Sequence, residues 1–300
     1  MTNNHLVCLG LGFSARAIAN ELAKRGWTIT GTARHRQGVD RITAAGYQGF
    51  VFDPEQGCEA FKSECDRPPL NTATHLLLSA PPTQNGDPIL QLHADALSKA
   101  PNLQWIGYLS TIGVYGNQDG RWIDETTPTA PSSARTKRRV QAEQAWSNFA
   151  NAYGCRFNIF RLAGIYGVGR SAITQLKHGK ARRIIKQGQV FNRVHVADIA
   201  QAVLRTIDGY GSSTIYNLSD DEPAPPQDVI SYGADLLKLA LPPAIPFEEA
   251  EMSDIARSFY ADLKRVRNAR LKSDLGINLR YPTYREGLRA IVSQEDEKNS

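Results

Sequence analysis

A chain of 300 residues with 41% hydrophobic content can bury a substantial core, as one large α/β domain or as a nucleotide-binding domain with a smaller appended lobe. The start "MTNNHLVCLG" lacks a basic segment ahead of an apolar core, and no apolar run approaches the roughly 18 residues that span a bilayer, so a soluble cytoplasmic protein without a membrane partner is expected. The net charge of +5 is modest, and the four cysteines, Cys8, Cys58, Cys65 and Cys155, show none of the short paired spacings of a zinc site; inert thiols in a reducing compartment, and no metal, are expected.

The first element, "HLVCLGLG", is a short apolar run that ends in glycines. It is followed by "FSARAIANELAKRG", in which Phe13, Ala17 and Ala19 to Leu22 recur at helical spacing before Gly26 closes the helix. Next comes "WTITGTAR", β-branched and alternating, a second strand. A β-α-β unit predicts a parallel sheet. Its turn, "GLGFSA", is a Gly-x-Gly-x-x-Ala form of the dinucleotide fingerprint, so Gly10, Gly12, Phe13, Ser14 and Ala15 are candidate cofactor contacts. Gly10 permits the tight turn, Gly12 lets a pyrophosphate approach the backbone, and Ala15 permits close helix packing.

After the second strand, where an NAD site places an acid on the ribose hydroxyls, the sequence reads "GTARHR". Thr32, Arg34 and Arg36 suit a 2′-phosphate instead, which favours NADP over NAD. Further strands are predicted at "YQGFVFD", "THLLLSAPP", "LQWIGYLST" and "CRFNIFRLAG". Asp53 follows the third strand and serves the adenine edge or caps a turn. Ser79 and Ala80 end a buried strand at the sheet edge where ligands of open parallel sheets collect.

The segment "PSSARTKRRVQAE" has the form of a catalytic helix, with Lys137 preceded four residues earlier only by Ser133. Between Arg156 and Arg193 there is no acidic residue, while Arg161, Arg170, Lys177, Lys180, Arg182, Arg183 and Lys186 lie within. That run is an anion-facing surface or a solvated face. It carries no recognised nucleic-acid-binding module, so nucleic acid is not an expected partner.

At "YLSTIGVYG", "DETTPTAP", "RLAGIYGVGR", "NRVHVADIA" and "YNLSDDEP" the chain resembles the extended short-chain dehydrogenase/reductase superfamily, the NAD-dependent epimerase/dehydratase-like group, from Gly10 to the closing "LGINLRYPTYREGL". The resemblance implies a doubly wound Rossmann domain over 1–163, to which 190–220 returns, and a small C-terminal substrate lobe from 164–189 and 221–290 that closes over substrate. The tail 293–300, "SQEDEKNS", reads as disordered.

In that superfamily a Ser or Thr holds the reacting oxygen, a Tyr moves its proton, and a Lys four residues later binds the nicotinamide ribose. The resemblance gives the first role to Ser110 and Thr111 and the last to Lys137. The tyrosine position falls on Ser133, and no tyrosine occurs between Tyr115 and Tyr153. Tyr115 is then the substitute acid or a cleft wall. Lys137 binds ribose or is one charge of a solvated face, and Ser110 and Thr111 touch substrate or cap the strand. Arg193 meets a substrate phosphate or organises the domain junction. His195 is structural, and Asp198 caps the helix "IAQAVLRTI". Tyr166, Gly167 and Arg170 line the cleft or turn the chain. The function expected is that of an NADP-dependent oxidoreductase or epimerase acting on a polar, anionic carbonyl or carbinol compound or a nucleotide-linked substrate; the competing expectation is a catalytically silent NADP-binding redox sensor. A homodimer is left open.

Overall fold

Strand β1 (His5–Leu9) is buried along its whole length, as a strand covered on both faces must be. Helix α1 (Phe13–Lys24) runs back, burying Ser14, Ala15, Ile18, Ala19 and Leu22 at three- and four-residue spacing. Strand β2 (Thr28–Ala33) then pairs parallel to β1, with His5 opposite Thr28. The computed structural model describes residues 4–53 and 68–299; Cys58 and Cys65 lie outside them. The winding continues through α2 (Arg36–Ala44), β3 (Gln48–Val51), β4 (His75–Leu78), α3 (Pro88–Ser98), β5 (Trp105–Thr111), β6 (Trp122–Ile123), α4 (Ala134–Tyr153) and β7 (Arg156–Leu162). There follow β8 (Gly164–Tyr166), α5 (Ala172–Lys177), β9 (Arg183–Ile185), β10 (Arg193–His195), α6 (Val196–Ile207), β11 (Ile215–Leu218), α7 (Pro226–Leu237), β12 (Ala244–Pro246), α8 (Asp254–Ala261), β13 (Arg265–Val266), α9 (Ala269–Leu275) and α10 (Tyr284–Asn299).

Seven strands form one parallel sheet in the order β11-β7-β5-β4-β1-β2-β3. This is the doubly wound α/β sheet the sequence predicts. Its winding reverses between β1 and β4, and the carboxyl ends of those two strands mark the crevice where such sheets take ligands. Among the described residues no helix is long and apolar enough to cross a membrane.

The chain divides into two compact units. One comprises 1–114, 131–161 and 200–216, the other 115–130, 162–199 and 217–300. The expected boundaries differ from these chiefly in two places, with shifts of two to four residues at 162–163 and 217–220. Residues 115–130 join the second unit because β6 pairs with β13, and 190–199 join it because β10 pairs with β8. The tail also departs from expectation, since α10 continues over 293–299. Leu288 and Ile291 anchor that helix in a core with Tyr166 and Val229, and Glu295 pairs with Lys177 at 2.7 Å, contacts that composition cannot reveal.

Candidate functional site

The turn after β1 is held on both sides. The Gly10 N–H donates to Thr32 Oγ1 (2.8 Å), and the carbonyl of Leu9 accepts from both Ser79 N and Ala80 N. Gly10 has φ +97°, and a Cβ there would lie 2.8 Å from the Ala80 backbone nitrogen, so no other residue brings β1 and β4 this close. A Cβ on Gly12 would meet nothing within 4 Å. Gly12 is the N-cap of α1 and offers no side-chain cap, so the helix begins at the turn with its N-terminal dipole end uncapped by a side chain, the arrangement that favours an anion. Ala15 is fully buried, as a close helix–sheet contact requires.

A cavity of about 410 Å³ opens over this turn, lined by Gly10, Gly12, Phe13, Ser79 and Ala80 and by Arg16, Arg34 and Arg41. Among the described residues no carboxylate lines it. Thr32 lines the cavity as expected, and its hydroxyl oxygen also accepts from Gly10 N, so it positions the turn. The contact expected of Arg36 is displaced. Arg36 projects into solvent, its side chain 82% exposed and paired with Asp40 at 3.3 Å one helical turn on, while Arg16 and Arg41 stand in its place. Phe52 lines the cavity and its neighbour Asp53 does not.

At the carboxyl end of β5, Ser110 donates to Glu143 Oε1 at 2.5 Å, and Glu143 is paired with Arg161 at 2.7 Å. All three are about 5% exposed. Thr111 Oγ1 accepts from Gly113 N at 3.1 Å and caps the strand end. Ser133 is the N-cap of α4, reciprocally bonded with Thr136 in a capping box, so the position where a tyrosine is missing lies before the first helical residue. Lys137 falls on the exposed face of α4. The cation that α4 carries to β5 is Arg139, whose Nη1 donates to Tyr108 Oη (3.0 Å) and to the Leu109 carbonyl (3.1 Å). The buried positions Thr136, Ala142, Glu143, Trp146 and Ala150 define this face, and their phase in the sequence already marks Arg139 and Glu143 as inward.

In the second unit, Tyr115 is fully buried and its hydroxyl donates to Asn217 Oδ1 at 2.8 Å, while Asn217 N donates to the buried carboxylate of Glu125. Arg193 Nη1 donates to the carbonyls of Phe191 (2.9 Å) and Ala224 (3.0 Å), and burial lowers its pKa against the pull of Asp220. Arg170 is exposed and closes a turn with Gly167 across Gly169, φ +77°. His195 is held neutral by burial, its pKa pushed down to about 4, with Nδ1 accepting from Ala197 N. Asp198 is a clamp and not a cap: it lies inside the first turn of α6 and accepts from the backbone N–H groups of Arg280 (2.6 Å) and Tyr281 (3.2 Å). The basic run is largely consumed internally, with Arg182, Arg183 and Lys186 donating to the carbonyls of Glu251, Pro242 and Tyr260. Burial pushes the Cys155 thiol up to about 11 and the Cys8 thiol higher still, which leaves both unreactive. Among the described residues no cluster of His, Cys, Asp and Glu could hold a metal ion.

The chain is 26% identical over 282 residues to protein YeeZ of Escherichia coli (strain K12), covering 91% of this chain and 95% of that one. It is similar to the structure of a functionally unknown conserved protein from Silicibacter pomeroyi DSS, with 43% identity, a TM-score of 0.87, and coverage of 98% and 100%. It shares its fold with a dTDP-glucose 4,6-dehydratase from Bacillus anthracis str. Ames in complex with NAD, with 16% identity, a TM-score of 0.74, and coverage of 99% and 97%. The sequence profile of the NAD dependent epimerase/dehydratase family matches residues 7–219, and the chain belongs to that family.

Proposed function

We propose that this protein binds NADP(H) and acts as an oxidoreductase or epimerase on a polar, anionic carbonyl or carbinol compound. The observation that carries the cofactor choice is the cavity beside the Gly10–Gly12 turn, lined by Arg16, Arg34 and Arg41 and, among the described residues, by no carboxylate. A 2′-phosphate is recognised there by charge-assisted hydrogen bonds, and the pyrophosphate by the uncapped N-terminus of α1. When bound, the cofactor supplies or accepts hydride. Arg193 and the exposed Arg170 are the proposed contacts of the anionic substrate. Arg34→Asp should lower the NADPH-to-NADH affinity ratio by roughly 10- to 150-fold, the equivalent of losing one charged hydrogen bond of about 1.5–3 kcal/mol, whereas Arg36→Asp should leave it nearly unchanged. Equal affinities for the two cofactors in a fluorescence titration, unaltered by Arg34→Asp, would remove the NADP assignment.

A redox sensor without turnover is the second reading. It is favoured by the hydroxyls of Ser110, Thr111 and Tyr115, which are engaged by Glu143, Gly113 and Asn217. Tyr115→Phe separates the two. It deletes one buried hydrogen bond, so a loss of about 1–3 kcal/mol in stability is expected, with NADPH affinity unchanged. If Tyr115 is the proton donor, NADPH oxidation by an active carbonyl substrate disappears as well; full turnover in the variant assigns the proton to water or another residue. Tight NADPH binding with no oxidation across a broad panel of carbonyls and nucleotide sugars establishes the sensor.

A further inference from the structure

We infer that Arg139, and not Lys137, is the residue of α4 that binds the nicotinamide-ribose half of NADP(H). The inference rests on the NADP(H) reading above. Helical geometry turns the chain by about 100° per residue, so Lys137 lies about 200° around the helix axis from Arg139. The side of α4 that meets the sheet is fixed by Ala142, Glu143, Trp146 and Ala150, all buried, and Arg139 falls one turn before Glu143 on that side. Lys137 is exposed.

The strand order supplies the other half of the inference. The arginine-lined cavity lies on the β1–β2 side of the switch point. A dinucleotide bound across such a crevice places its second half over the opposite strands, here β4 and β5. Arg139 reaches that end of β5, where its Nη1 is fixed by the Tyr108 hydroxyl and the Leu109 carbonyl. The other three guanidinium N–H groups, on Nε and Nη2, have no hydrogen-bond partner among the described residues, and the side chain is only partly buried. They are donors already oriented by the two bonds of Nη1, suited to ribose hydroxyls or a carboxamide oxygen. Arginine neither gives up nor accepts a proton near neutral pH. The residue can therefore hold this half of the cofactor but cannot relay a proton, which accords with the absence of a tyrosine one turn earlier, where Arg135 stands.

The test uses two probes: NADPH, which has the nicotinamide half, and adenosine 2′,5′-bisphosphate, which lacks it. Arg139→Gln should weaken NADPH binding by about tenfold or more while changing the bisphosphate by less than about twofold, and Lys137→Gln should change neither. The inference is overturned if Arg139→Gln weakens both probes equally, as a packing defect would, if it leaves NADPH unchanged, or if Lys137→Gln produces the loss. Should Arg139→Gln not fold, phenylglyoxal modification of the unaltered protein decides the matter by peptide mapping. NADPH must then protect Arg139 and the bisphosphate must not; equal protection overturns the inference. An unaltered protein that binds neither probe refutes the NADP(H) reading itself.

Discussion

Arg161→Met is expected to destabilise the protein by about 3–5 kcal/mol at neutral pH, the cost of leaving one member of a buried ion pair uncompensated. Arg161 meets Glu143 through both Nε and Nη2, at 3.3 Å and 2.7 Å. Each residue is about 5% exposed, so water cannot replace the lost guanidinium. Met fills comparable volume, so the loss is electrostatic and not a cavity. The double variant Glu143→Met/Arg161→Met should recover most of that stability, because removing both charges also removes their desolvation cost. Ser110→Ala, which takes away only one donor to the same carboxylate, should cost about 1–3 kcal/mol. Urea unfolding at pH 7 followed by circular dichroism ranks the three variants. A loss below about 1 kcal/mol for Arg161→Met would mean that the pair is hydrated and that Ser110 is not held by it.

That triad also shows where the sequence was legible and where it was not. The β-α-β start, the glycine turn and the parallel strands follow from local patterns: apolar runs of strand length, helical periodicity and glycines at fixed offsets. These patterns act within a few residues, so reading them needs no tertiary information. The roles of Ser110 and Lys137 depend on something else, namely which side of α4 faces β5. Ser133 caps the helix through Thr136, and the buried positions that follow put Arg139 and Glu143 inward and Lys137 outward. A spacing match to a tyrosine–lysine pair does not contain that phase, whereas the apolar residues Ala142, Trp146 and Ala150 do.

The partners of the basic run were hidden for a related reason. Seven cations without a single acid between Arg156 and Arg193 suggest an outward electrostatic face. Arg182, Arg183, Lys186 and Arg193 donate to the backbone carbonyls of Glu251, Pro242, Tyr260 and Ala224, all distant in sequence, which carry no signature in charge patterning. The arginines that give the candidate site its character, Arg16, Arg34 and Arg41, are instead spread over α1, the end of β2 and α2, and only the fold gathers them.

Asp220 should contribute a component of stability that falls as the pH rises from about 5 to 8, and Asp220→Asn should remove that component. Asp220 is 2% exposed and its Oδ2 is buried without a hydrogen-bond partner, while Oδ1 accepts from Glu222 N. Burial pushes its carboxyl from the ordinary 3.8 up to about 8, with the Arg193 charge opposing and Asp221 and Glu222 adding to the rise. The sign follows from proton uptake. Between those two values the folded protein keeps a proton that the unfolded chain has released, so folding binds a proton and each increase in pH favours unfolding. The contribution is complete below the unfolded pKa and gone above the folded one. From pH 5 to 8 it amounts to on the order of 4 kcal/mol for a single group. Asn cannot release a proton, so the variant loses this dependence while keeping that of every other buried group, including His75 and His195, whose lowered pKa values act in the opposite direction. Urea midpoints measured at half-unit steps from pH 5 to 8.5 should converge or cross for the two proteins. Parallel curves would show that Asp220 is already ionised in the folded protein at pH 5, held so by Arg193, and that the buried arginine outweighs desolvation at this position.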